Sequence, residues 1–177
     1  MRNALPAILA ALFVVAWAAA ADAEPARLLA NCLLGLGLLW LGWIDWQQMR
    51  LPDALTLPLL ALGLAVTWVA QPDALPDSLL GALAGYCAFR VIGLGYRLLR
   101  GHEGLGQGDA KLLAAGGAWL GWQALPWLVL LAALIGLAFA LTRHLRGTSI
   151  TATTALPFGP AIALAIWMGR LYGLPGL

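Results

Sequence analysis

GLGQGDAKLLAAGGAWLGWQALPWLVLLAALIGLAFALT, residues Gly104–Thr142, is the stretch whose reading decides the fold. From Leu112 to Thr142 it runs 31 residues without a charge. A spanning helix takes about 20 residues, so this run is too long for one span and short for two. Gln123–Pro126 is the natural break, because proline disfavours helical geometry in the residue before it. The first piece, Asp109–Trp122, then holds 14 residues, or roughly 21 Å of helix. A hydrocarbon core is about 30 Å thick. If the piece reaches the far side, Asp109 lies sunk within the bilayer and is reached by water through a cavity. An acid in that position is a functional-site candidate by default.

Composition sets the surroundings. Of 177 residues, 62% are hydrophobic and 10% charged, and the mean hydropathy is +0.87. A soluble domain carries about 25% charged residues. This chain cannot cover a water-facing surface, so the expected fold is all-α, a polytopic helical membrane protein of about seven hydrophobic segments, one of them the short Asp109–Trp122. No run alternates with the period of a strand. The other segments are Ala4–Ala21, Leu28–Ile44, Ala54–Ala70, Ser78–Leu99, the remainder of the 112–142 run, and Ile150–Gly169. Together they form a single integral-membrane domain over residues 1–177. The first segment ends AAAADAEPAR, which also fits a signal-peptide cleavage site; a retained span is the preferred reading. Cys32 and Cys87 lie in apolar runs without CxxC spacing, so neither a zinc site nor a disulfide framework is supported.

Orientation follows from lysine and arginine. With the N-terminus in the cytoplasm, the inner side receives Arg2, Arg50, Arg97, Arg100, Lys111, Arg143 and Arg146, and the outer side Arg27 and Arg170. Arg90, two turns inside its run, can snorkel toward the Arg97 side. This topology brings Asp45, at the end of the second run, to the same cytoplasmic face as Asp109. Two carboxylates held close in a low-dielectric site share a proton. One can then take a proton from water while the other donates to a scissile carbonyl. Gly104, Gly106 and Gly108 let the backbone approach a bound strand closely, and a helix starting at Asp109 offers unpaired N–H groups beside it.

GLGQGDAKLLAAGGAWLGWQALP, together with DWQQMRLPDALTLPLLALGL and the later LPFGP (Leu156–Pro160), resembles the type IV prepilin peptidase family. The resemblance implies a membrane aspartic protease whose second catalytic acid closes a GxGD motif, here Gly106–Asp109. The first acid opens a D-x6-P-D pattern, here Asp45 followed by Pro52 and Asp53. It further implies removal of the short basic leader from type IV prepilins or type II secretion pseudopilins at the cytoplasmic face of the inner membrane, with the cut after a glycine. No cofactor, metal or nucleic-acid partner is implied. The substrate proteins and the lipid bilayer are the expected partners. Longer members insert a cytoplasmic domain with paired CxxC motifs and an associated N-methyltransferase activity. Here only ADAEPAR joins the first two runs, so a peptidase without the zinc site and without methyl transfer is expected.

Other residues carry plainer expectations. Asp53 reads as an N-cap of the third run. Lys111 is either a substrate contact or a snorkelling cation. His102, Glu103 and His144 read as solvated connector groups. Gly116, Gly117 and Gly121 read as close helix packing. The glycine loop is no phosphate cradle, since GxxxxGK is absent. The competing function is a small proton- or cation-coupled transporter using the paired acids; the absence of an internal repeat speaks against it.

Overall fold

The structure is a computed structural model and describes residues 4–21, 24–101, 106–146 and 157–173. Among these are seven α-helices and no strand: α1 (Ala4–Ala21), α2 (Pro25–Gln48), α3 (Asp53–Ala70), α4 (Leu75–Arg100), α5 (Gln107–Leu120), α6 (Leu125–Leu145) and α7 (Gly159–Tyr172). Proline stands at the first or second position of α2, α4, α6 and α7, where its missing N–H costs nothing and its fixed φ suits the helix. Four stretches, Pro25–Gln48, Asp53–Ala70, Pro72–Leu99 and Trp122–Leu145, are long and apolar enough to cross a membrane, and Ile8–Ala21 is a shorter apolar helix. The outward faces carry exposed Trp68, Val69, Leu83, Leu98 and Leu137. Water would not tolerate so continuous an apolar exterior; lipid does. The chain is a multi-pass helical membrane protein.

The short α5 is the centre of the bundle. Every residue from Leu112 to Trp119 is buried, with α3, α4, α6 and α7 packed around it. Small side chains make this possible, because they let helices approach closely. A Cβ at Gly117 would collide with the Gly81 carbonyl of α4, and one at Gly85 would meet the Leu113 carbonyl at 2.9 Å. Gly116 faces Ile166 of α7 and Leu128 of α6. Trp119 lies over Gly63 of α3 and donates its Nε1–H to the Leu59 carbonyl at 2.9 Å. The glycines of α5 thus serve packing, as the sequence suggests.

The break after α5 begins slightly earlier than the expected Gln123–Pro126. Gly121 leaves the helix at φ 81°, a left-handed value open to glycine, and Trp122–Ala124 forms a single 3-10 turn into α6. The Asp77 carboxylate holds this turn, accepting from Trp122 Nε1 and from Gln123 Nε2, each at 3.1 Å. The last helix is also corrected. The expected run Ile150–Gly169 includes non-helical Pro157 and Phe158, and α7 starts only at Gly159. It is therefore a second 14-residue helix. Residues 150–156 lie outside the described residues, as do Arg2, His102, Glu103, Gly104 and Leu156.

The helices sort their ends. At one end Asp45 meets Gly159, Lys111 meets Asp53, and Trp46 meets Phe139 with ring centroids 5.2 Å apart. At the other, Arg170 Nε donates to Asn31 at 2.9 Å and the Trp17 indole N–H donates to the Tyr172 hydroxyl. Arg50, Arg97, Lys111 and Arg143 belong to the first end, and Arg27 and Arg170 to the second. This is the segregation of cations expected from the sequence.

Candidate active site

Asp45 occupies the last full turn of α2, on the face of that helix that also buries Leu34, Leu38 and Leu41. It is 6% exposed. Its Oδ2 accepts a hydrogen bond from the Gly159 backbone N–H at 3.0 Å. That N–H is the first of α7 and has no partner within the helix, so the carboxylate sits where the helix end offers a free donor and partial positive charge. A side chain at 159 would place its Cβ 2.7 Å from the same oxygen. Only glycine leaves room. One turn earlier on α2, Gly42 lies against Pro160, which fixes α7 to α2 at the level of the acid.

Asp109 is the third residue of α5, half-buried, and its Oδ2 lies beside Gly106, where an added Cβ would stand 3.0 Å away. Gly106 is the residue that caps α5. The GxGD spacing thus places the acid in the first turn of the helix, turned back against the residue that caps it. Gly108 lies against Leu51, where an added Cβ would stand 2.7 Å from the Leu51 Cβ. This contact draws the α2–α3 connector onto the start of α5. The two carboxylates come from different helices to one end of the bundle, Asp45 against the start of α7 and Asp109 at the start of α5, beside the connector that follows Asp45.

The remaining expected residues are placed as follows. Pro52 caps α3 by its carbonyl, which accepts the backbone N–H of Leu55 and Thr56, each at 3.1 Å, and the Thr56 hydroxyl at 3.3 Å. Asp53 is not the cap. It is the first residue of α3 and makes no side-chain cap bond; instead its Oδ1 accepts from Lys111 Nζ at 2.5 Å. The ammonium, two residues beyond Asp109, outcompetes the local N–H groups for that carboxylate. Lys111 therefore ties α5 to α3. These contacts bring Asp45, Asp109, Gly106 and Gly108 into one region, with Pro52, Asp53 and Lys111 as its frame.

Nothing in the residue type of Gly159 marks it as a partner of Asp45. The signal was present in LPFGP: a Gly-Pro pair at a helix start, where Phe158 packs its ring 6.4 Å from that of Phe89 on α4 and turns the next N–H toward α2. Among the described residues no group of three or more His, Cys, Asp or Glu side chains gathers as a metal site. Cys32 and Cys87 lie on different helices as free thiols.

The fold and the site define a multi-pass helical membrane protein with an aspartate pair at one end of its bundle. The model of the type IV leader peptidase family matches residues 32–141, a span that includes both aspartates, and the chain belongs to that family. It is 45% identical over 145 residues to a prepilin leader peptidase/N-methyltransferase of Aeromonas salmonicida, covering 82% of this chain and 50% of that protein. It is 43% identical over 160 residues to one of Pseudomonas putida, covering 90% and 54%. One of Burkholderia pseudomallei is 46% identical over 138 residues, covering 78% and 44%. The chain thus spans about half the length of the curated relatives it matches. No solved structure matches it with significance.

Proposed function

We propose that this chain is a membrane aspartic endopeptidase that removes the leader peptide from type IV prepilins or type II secretion pseudopilins, with Asp45 and Asp109 as its catalytic pair. The observation that carries the reading is the placement of these two acids, from α2 and α5, at one bundle end, in a member of a leader peptidase family. The substrate class is that of the relatives' name.

In this mechanism the pair shares one proton. The ionised carboxylate removes a proton from water as the oxygen attacks the scissile carbonyl carbon, and the protonated carboxyl donates to the carbonyl oxygen. The resulting gem-diol collapses when a proton passes to the amide nitrogen, the C–N bond breaks, and the pair returns to its singly protonated state. Gly159 holds the Asp45 carboxylate by its backbone N–H, and such a fixed donor costs no reorganisation during reaction. The excess of Arg and Lys at the aspartate end favours that end as cytoplasmic, in the inner membrane. Methyl transfer to the product is not assigned to this chain.

The test is cleavage of a prepilin-type leader substrate in liposomes by wild type, Asp45→Asn and Asp109→Asn. Each substitution removes the acid at nearly constant shape. Cutting after the leader glycine by wild type alone supports the pair, and normal cutting by both variants ends it. Transfer of methyl groups from S-adenosylmethionine to the product would overturn the restriction to peptidase chemistry.

A further inference from the structure

Arg90 lies within the apolar span Pro72–Leu99, and among the described residues it makes no hydrogen bond or ion pair. An arginine at membrane depth is expensive and is almost always paired or turned to a water-filled space. Here it lines a cavity of about 320 Å³ between α4 and the start of α5, together with Arg97, Phe89, Leu94, Gly106 and Gln107. Arg90 and Arg97 are two helical turns apart and so share one face of α4. Opposite them stands the first turn of α5, whose leading N–H groups have no partner within the helix. The same helix exposes Val91 and Leu94, which line the cavity, and Leu98 beside it, at 69%, 57% and 78%.

The chemistry of this place is amphipathic: two guanidinium groups with apolar Leu94 between them, and exposed Val91 and Leu98 alongside. Guanidinium forks match phosphate oxygens bidentately. Basic pockets between membrane helices hold anionic lipid headgroups, and the exposed apolar strip is a bed for acyl chains. We infer that the cavity bounded by Arg90, Arg97 and the start of α5 is a binding site for the phosphate of an anionic phospholipid, with its chains lying along α4. A soluble phosphate would use the guanidiniums and leave the apolar strip unused.

The site is read without any cleavage, so it stands or falls separately from the peptidase reading. Wild-type protein is reconstituted in nanodiscs of mixed phosphatidylglycerol and phosphatidylcholine, and retained lipid is counted by native mass spectrometry. Wild type is expected to retain phosphatidylglycerol about tenfold over phosphatidylcholine. The variant Arg90→Gln/Arg97→Gln should lose that preference. Leu94→Trp, which keeps both charges and narrows the cavity, should weaken it several-fold. Undiminished preference in the double glutamine variant overturns the site. Displacement of the lipid by millimolar inorganic phosphate would assign the cavity to a soluble anion and overturn the lipid. Displacement by a prepilin-type leader substrate would assign the cavity to the substrate chain and do the same.

Discussion

The backbone N–H of Gly159 donates to Asp45 Oδ2 at 3.0 Å, so the first donor of α7 is spent on the acid that ends α2. The bond explains why the short α7 begins where it does. It also predicts the effect of Gly159→Ala. The new Cβ would stand 2.7 Å from Oδ2 and 2.9 Å from Cγ, closer than packed atoms come. The carboxylate is the movable partner and swings away, while α7 keeps its contacts with α2 along Gly42 and Pro160. A displacement near 1 Å at a catalytic group costs on the order of 100-fold in rate. Gly159→Ala is therefore expected to lower kcat by 10- to 100-fold (about the scale of that principle) with a modest loss of thermal stability. A variant that cuts at the wild-type rate would show that Asp45 need not hold this position.

The Lys111–Asp53 pair invites a different outcome. Its N···O distance is 2.5 Å, and its side chains are 25% and 56% exposed. Ion pairs open to solvent are worth about 0–1 kcal/mol. Asp53→Ala and Lys111→Ala should each cost no more than about that, and the double variant should cost little beyond either single one. Denaturation of the four proteins in detergent measures the coupling. Stability losses that add in full would show that the pair does not join α3 to α5.

Two glycines of similar appearance should respond oppositely to alanine. At Gly117 a methyl group meets the Gly81 carbonyl, so α4 and α5 must separate along their closest approach. Overpacking of a core costs about 1–3 kcal/mol, and here both partners are backbone, so the upper end is expected. At Gly95 an added Cβ meets nothing within 4 Å, and replacing glycine by alanine inside a helix gains about 1 kcal/mol. Thermal melts of Gly117→Ala and Gly95→Ala should move down and up respectively. A destabilised Gly95→Ala would show that α4 has a partner along that face.

The sequence and the structure agree most closely where lipid dictates the pattern. The run Ala4–Ala21 coincides with α1, and Ala54–Ala70 falls one residue short of α3, because a spanning helix is written as an uncharged run and little else. Asp45 and Asp109 stand out among the several acids that flank such runs by their motifs, D-x6-P-D and GxGD, and the structure puts both at one bundle end. Partners were less so. Asp53 reads as a cap because a Pro-Asp pair before an apolar run is a local signal, whereas its ion pair with Lys111 spans 58 positions of sequence. Gly159 shows the same limit, since its role depends on a helix that starts more than a hundred residues before it. Local propensity finds helix ends. It does not say which ends meet.

The depth of α5 supplies the last prediction. The helix has 14 residues, roughly 21 Å at 1.5 Å per residue, against a hydrocarbon core of about 30 Å. Asp109 is half-buried at its start, while Asp53 on the neighbouring α3 is exposed. A bulky, membrane-impermeant thiol reagent should distinguish the two positions. In a background with Cys32 and Cys87 replaced by alanine, Asp53→Cys is expected to react at the rate of a solvated thiol, and Asp109→Cys at least tenfold more slowly (about 1.4 kcal/mol in barrier). A small permeant reagent should narrow the gap, because water reaches the site while a large probe does not. Equal, fast labelling of both positions by the bulky reagent would place Asp109 at the open membrane surface. The short helix would then have to leave its other end within the bilayer, where Gly121 and the Asp77-held turn would face hydrocarbon. That arrangement would expose the Asp77 carboxylate to lipid, at a cost of several kcal/mol by rough transfer scales, and the slow-labelling outcome is expected for that reason.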